Sequence, residues 1–200
     1  MPRKPRKLTE AGVYHVVTRG NNRQRLFRKT EDYKLYLKLF ERMKEEYEFE
    51  IYHYCLMTNH VHLLMKFYHV ESFQKVMQRV NLRYAKYFRR EYRYAGHVFQ
   101  DRFKSFAIEK DSHWLECGRY IERNPLNAGM VKDPLEYPWS SYSCYGHGGI
   151  NRLVTMNPLY LDLAKDEKER RTIYRKYILT ERPYEEFIDH GILGGQYPSP

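Results

Sequence analysis

His60-Val61-His62 sets two imidazoles two residues apart in the β-prone run Met57-Thr58-Asn59-His60-Val61-His62-Leu63-Leu64-Met65. Alternation along a strand sends both rings to one sheet face and Val61, Leu63, Met65 and Phe67 to the other. One face therefore belongs to a core, and the other offers a pair of nitrogen ligands for a metal ion. Taken alone, such a pair is equally well read as a strand with two incidental histidines.

A second constellation lies in Gly118-Arg119-Tyr120-Ile121-Glu122-Arg123-Asn124-Pro125-Leu126-Asn127-Ala128-Gly129. Asp111 and Ser112 are N-cap candidates ahead of an apolar stripe of Trp114, Leu115, Gly118 and Ile121. Pro125 is expected to stop this helix. Tyr120 and Asn124 are four apart, so they share a helical face and can point at one object. The residue before a proline is pushed out of helical geometry, which puts Asn124 at a frayed end. The chain has 20 Tyr, most of which must be structural, so Tyr120 draws its interest from its neighbours.

The elements that must position these groups follow from periodicity. Val13 to Thr18 reads as a first strand, ended by the Gly20-Asn21-Asn22 turn. Thr30, with Glu31 and Asp32 behind it, opens a helix with the stripe Tyr33, Tyr36, Leu37, Phe40, Met43 and Tyr47. Phe49 to Met57 is a second strand, and Thr58-Asn59 turns the chain into the His60 strand. Glu71 to about Arg90 is a second long helix, whose polar face carries Lys75, Arg79, Arg83, Lys86, Arg89 and Arg90. A strand or hairpin follows through Val98 to Ile108. This order predicts an α+β chain with a ferredoxin-like split βαβ antiparallel sheet. Both long helices then cover the Val61, Leu63, Met65 side, because crossovers are right-handed. His60 and His62 face the bare side, with His15 beside them as a core or supporting residue. The helix carrying Tyr120 must dock there.

Several segments, in order, resemble the HUH single-tyrosine transposases, and more closely their REP-associated (repetitive extragenic palindrome) branch. They are Tyr14 to Arg23, Met57 to Leu64, Phe99 to Ser105, Tyr120 to Pro125, and Tyr137-Pro138-Trp139-Ser140-Ser141. The resemblance spans about residues 10 to 145 and implies the HUH endonuclease fold with an added tyrosine helix. It places the nucleophile on Tyr120 and the cation on His60, His62 and Asn124. The implied activity is metal-dependent cleavage and transfer of single-stranded DNA at a hairpin-containing element, through a 5′-phosphotyrosine. Phosphate and base contacts are assigned to Arg19, Asn21, Asn22, Arg23, Arg102 and Lys104, with ordinary turn chemistry the competing reading for the two asparagines.

Composition bounds these readings. The net charge of +10 calls for an anionic partner, most simply nucleic acid. Aromatic residues make up 16% of the chain, and some can stack unpaired bases while most fill the core. Cys55, Cys117 and Cys144 are scattered, so neither a zinc knuckle nor a disulfide framework is indicated. No apolar run spans a membrane and no signal core opens the chain, so a cytoplasmic protein is expected. The chain divides into a catalytic domain, 1–145, and a partly helical C-terminal extension, 146–200. In the extension, Lys165 to Thr180 reads as an amphipathic helix, Tyr184 to Asp189 as a short turn, and Gly194 to Pro200 as a flexible tail. The segment from Pro2 to Lys7 reads as a basic arm.

Tyrosine is mostly protonated at neutral pH, its solution pKa being about 10. A divalent ion that polarises the scissile phosphate lowers the demand on that nucleophile. Two imidazoles and one amide oxygen leave positions open for phosphate and water, which suits Mg²⁺ or Mn²⁺. Two other readings use the same surface. One is a domesticated relative that grips DNA hairpins without cutting; the other is a metal-dependent RNA-binding or nuclease protein in which Tyr120 has no role. Insertion-sequence relatives are dimers with the tyrosine helix in the partner's site, whereas the REP-associated branch implies a monomer. The long C-terminal segment favours the monomer.

Overall fold

The computed structural model describes residues 12–180, so the expectations for the basic arm, the 184–189 turn and the tail fall outside the described residues. Strands β1 (Gly12–Arg19), β2 (Phe49–Leu56), β3 (His60–Phe67) and β4 (Lys104–Ala107) form one antiparallel sheet in the order β2-β3-β1-β4. Helices α1 (Thr30–Glu46) and α2 (Val70–Glu91) occur where the ferredoxin-like pattern requires them. The expected fold class is therefore the observed one.

Residue parity sorts the sheet into two faces. Val61, Leu63, Met65 and Phe67 enter a core with Tyr36, Phe40 and Met43 of α1 and Phe73, Val76 and Val80 of α2. Val13, Leu64, Tyr52 and Cys55 enter a second core with Cys117 and Ile121. These last two belong to α3 (Ser112–Asn127), which covers the face opposite the two long helices, as the histidine parity demands. The basic face of α2 thus lies on the far side of the sheet from His60 and His62, and two of its cations are paired, Arg79 with Glu46 and Lys75 with Glu71.

Two local expectations change. Pro125 does not end α3; it lies inside the helix, which continues to Asn127. A proline lacks the N–H that would bond to the carbonyl four residues back, here that of Ile121. Asn124 supplies a substitute, its Nδ2 donating to the carbonyls of Tyr120 (2.8 Å) and Ile121 (3.3 Å). Asn124 is accordingly held within the helix and not frayed. Next, the strand expected over Val98 to Ile108 shrinks to β4, because the stretch before it bonds across the end of the sheet. The Val98 carbonyl accepts from Asn21 N (2.9 Å), and Gln100 N donates to the Arg19 carbonyl (3.0 Å). The first long helix opens at Thr30 as expected, with the Asp32 carboxylate accepting from Arg28 N (2.7 Å) and Lys29 N (3.1 Å).

Beyond α3 the chain forms α4 (Tyr142–His147), α5 (Pro158–Leu161) and α6 (Glu167–Leu179). Tyr142, Tyr145, Tyr160, Tyr174 and Ile178 make a third core that includes Leu115 of α3. The division placed at residues 145 and 146 falls inside α4. The amphipathic helix expected over Lys165 to Thr180 is α6, on which Tyr174 and Ile178 are fully buried while Ile173 is exposed.

Candidate active site

β3 presents His60 and His62 toward α3, their rings 4.8 Å apart and nearly perpendicular. Tyr120, on the α3 face that meets them, sets its ring edge-on to His62 with centroids 5.8 Å apart. Imidazole and phenol thus converge within one chain. His62 is buried and His60 is partly open, so the pair is reached from the His60 side. Burial strips solvent from both rings and disfavours their charged forms. The His60 pKa falls to about 4, with Arg19 adding to the effect, and that of His62 falls well below its usual value, through burial, then His60, His15 and Arg19. Both rings are therefore neutral at neutral pH, the protonation state that metal binding requires.

The donor set fits a hard or borderline cation. Among the described residues, no three His, Cys, Asp or Glu side chains form a ligating group, so a cation at this pair must take oxygen from elsewhere. Asn124 stands one turn beyond Tyr120 on the same helical face. Its Nδ2 is committed to the helix carbonyls, which leaves Oδ1 as the amide's ligating atom.

The expected DNA contacts gather at the same end of the sheet. Arg19 sits directly opposite His60 in the β1–β3 register, and Lys104 opposite Val17 in the β1–β4 register. Cross-strand partners share a face, so both cations stand on the histidine side. Asn21, Asn22 and Arg23 form a 3₁₀ turn just beyond, with Asn22 (φ 49°) and Arg23 (φ 57°) in the left-handed region. Asn59 Nδ2 donates to the Arg23 carbonyl (3.3 Å), and Asn59 Oδ1 lies 2.6 Å from His60 Nδ1, linking this turn to the histidine pair. Asn22, Arg23, Arg102 and Lys104 are exposed, and Arg102 lies on the segment leading into β4. The structure therefore brings His60, His62, Tyr120 and Arg19 together, with the other cations along the rim.

What positions Tyr120 could not be read from sequence periodicity. β2 carries an irregularity between Ile51 and His53 that shifts its register. Such a bulge re-aims side chains, and here it turns His53 toward α3. There His53 Nδ1 lies 2.9 Å from Glu122 Oε1, and Asn157 Nδ2 lies 3.1 Å from His53 Nε2. Leu159 N donates to Asn157 Oδ1, which orients that amide and makes His53 the Nδ1–H tautomer. Ser141 Oγ donates to Glu122 Oε1 (2.6 Å), and the Tyr174 hydroxyl donates to Oε2 (2.7 Å). Glu122, His53, Ser141 and Asn157 are all fully buried. One carboxyl thus ties the tyrosine helix to β2, to the start of α4 and to α6. Two arginines on α3 add to the bond: Arg119 donates to the carbonyls of Tyr177 (2.8 Å) and Thr180, and Arg123 to that of Ile178. Those are the last carbonyls of α6, where a cation is favoured. Glu122 and Arg123 stand inside the motif that contains Tyr120, and Ser141 in the Trp-Ser-Ser motif, so the segments were visible while their partners were not.

The IS200-like transposase model matches residues 9–124, more than half of the chain. The chain belongs to the IS200-like transposase family. Its fold is that of a REP-associated tyrosine transposase solved bound to a REP hairpin, with a TM-score of 0.63, 19% identity, and 78% of this chain and 90% of that one covered. A solved candidate transposase from Deinococcus radiodurans R1 aligns at 17% identity over 61% of this chain and 97% of that one, with a TM-score of 0.41. No curated protein matches the sequence. Among the described residues, no helix is long and apolar enough to cross a membrane.

Proposed function

We propose that this family member is a REP-associated type of transposase, a metal-dependent nickase and strand transferase for single-stranded, hairpin-containing DNA. The observation that carries the reading is the Tyr120 ring set against His62 in the same chain, 5.8 Å between centroids. A binding module gains nothing from a phenol set edge-on to an unprotonated imidazole. The fold relative was solved with a REP hairpin, which supports a hairpin as the ligand here.

His60 and His62, through ring nitrogens, and Asn124, through Oδ1, would hold Mg²⁺ or Mn²⁺. When bound, the ion polarises a phosphoryl oxygen and offsets charge that develops on the phosphate. The Tyr120 phenol oxygen attacks the scissile phosphorus. Its bond to phosphorus forms as the bond from phosphorus to the 3′ oxygen breaks; the phenolic proton is lost and the departing 3′ oxygen gains one. The product is a 5′-phosphotyrosine and a free 3′-hydroxyl. Attack by another 3′-hydroxyl reverses the chemistry and joins the strands. Arg19, Asn21, Asn22, Arg23, Arg102 and Lys104 hold the phosphates and flanking bases, an electrostatic grip that weakens with salt. Packing of α3 on its own sheet supports a monomer acting with its own tyrosine.

The test is a labelled single-stranded hairpin incubated with the protein and Mn²⁺. A denaturation-resistant adduct is expected in the wild type and lost in both Tyr120→Phe and His62→Ala. Tight hairpin binding without adduct in the wild type would replace this reading with that of a binder that does not cut.

A further inference from the structure

The chemistry above gives His15 no part, yet it is the most enclosed polar group beside it. On β1 it is fully buried, its Nε2 lying 2.9 Å from His62 Nδ1 and the two rings stacking at 5.1 Å. Tyr120 meets the His15 ring edge-on at 5.9 Å, and Phe106 packs beside it at 6.3 Å. The other nitrogen, His15 Nδ1, is buried with no hydrogen-bond partner. An orphaned polar atom in a core calls for a reason.

A hydrogen bond between two ring nitrogens needs one N–H and one lone pair. If His62 Nδ1 donates, its Nε2 is a lone pair open to a cation, and His15 keeps its proton on the orphaned Nδ1. If His15 Nε2 donates, His62 carries its proton on Nε2 and cannot ligate there, while the orphan becomes a bare acceptor. Either way one buried atom stays unsatisfied, and only the first arrangement leaves His62 Nε2 able to take a cation. Ligating histidines generally donate their second ring N–H to an acceptor that fixes orientation and tautomer. Among the described residues no third imidazole joins His60 and His62 as a ligating set, which leaves the acceptor's role to His15.

We propose that His15 is a positioning residue. It accepts the His62 Nδ1–H through Nε2 and so holds His62 in the tautomer and orientation that present Nε2 to the divalent ion. This rests on the metal-dependent reading above and adds a residue to it.

The test is Mn²⁺ binding to the full chain, measured by calorimetry and by pulsed electron spin resonance, which counts the imidazole nitrogens coupled to the metal. Wild type and His15→Gln, whose amide oxygen reaches the Nε2 position, are expected to show two couplings and affinities within about threefold. His15→Phe and His15→Asn, which place no acceptor there, are expected to bind about 10–100-fold more weakly. The asparagine variant keeps a polar side chain, so it still answers if the phenylalanine variant fails to fold. Wild-type affinity in a folded His15→Asn overturns the proposal. So does a wild-type count of three imidazoles that falls to two in His15→Gln, since His15 would then be a ligand. A wild type without imidazole coupling sinks the metal-dependent reading itself.

Discussion

Gly118→Ala probes how closely the tyrosine helix must approach the sheet. A Cβ at residue 118 would lie 2.5 Å from His53 Cδ2 and Nε2 and 2.7 Å from Cε1. His53 cannot step aside. It is fully buried, bonded to Glu122 and Asn157 through its two nitrogens, and stacked on Tyr145 at 4.3 Å. Ordinary contact therefore requires α3 to retreat by about 1 Å, carrying Tyr120 away from the histidine pair. Overpacking of this kind costs about 1–3 kcal/mol, and alanine's better helix propensity offsets about 1 kcal/mol. The net loss, about 0–2 kcal/mol, lowers Tm by up to about 8 °C in a chain of this size. A displacement near 1 Å at a reacting group lowers rate by about 100-fold. The expected result is a folded variant, slightly less stable, that still binds the hairpin but forms adduct about 100-fold more slowly. Thermal melting and adduct kinetics on one preparation check both arms. A variant as stable as wild type that also forms adduct at the wild-type rate would show that α3 has room to spare and refute the reasoning.

Three further outcomes are expected. Chelation with EDTA abolishes adduct formation, and Mn²⁺ restores it, while hairpin retention in a gel persists throughout; loss of retention on chelation would assign the ion to DNA binding and not to cleavage. The Asp32 carboxyl is raised by desolvation, but hydrogen bonds from Tyr92, Tyr87 and the backbone of Arg28 and Lys29 outweigh this and hold its pKa below the usual value. That depressed pKa contributes stability above the unfolded value of about 4 and loses it as pH falls through the folded one. The Tm advantage of wild type over Asp32→Asn should thus shrink between about pH 5 and about pH 3, the window around that reference value; a constant gap across it counts against the assignment. Arg119→Met leaves the α6 carbonyls of Tyr177 and Thr180 short of a donor and is expected to cost about 1–3 kcal/mol. Hydrogen exchange should quicken in α6 before it does in the sheet, and uniform exchange would show that the arginine does not hold that helix.

The histidine face, the two long helices and the placement of the tyrosine helix were legible because each rests on a local rule. Alternation put Val61, Leu63 and Met65 opposite His60 and His62, and that parity alone required α3 on the bare face. The motif segments added Tyr120 and Asn124, which one helical turn brings onto the same side. Pro125 misled the reading, since a proline ends a helix only when nothing else satisfies the carbonyl it orphans, and Asn124 does so. The bulge after Ile51, the buried Glu122 with its partners His53, Ser141 and Tyr174, and the contact of His15 with His62 were decided only in three dimensions. Periodicity tells which way a side chain points from its own backbone. Which distant group will meet it there depends on how separate segments pack, and a buried polar atom finds its partner wherever the fold supplies one.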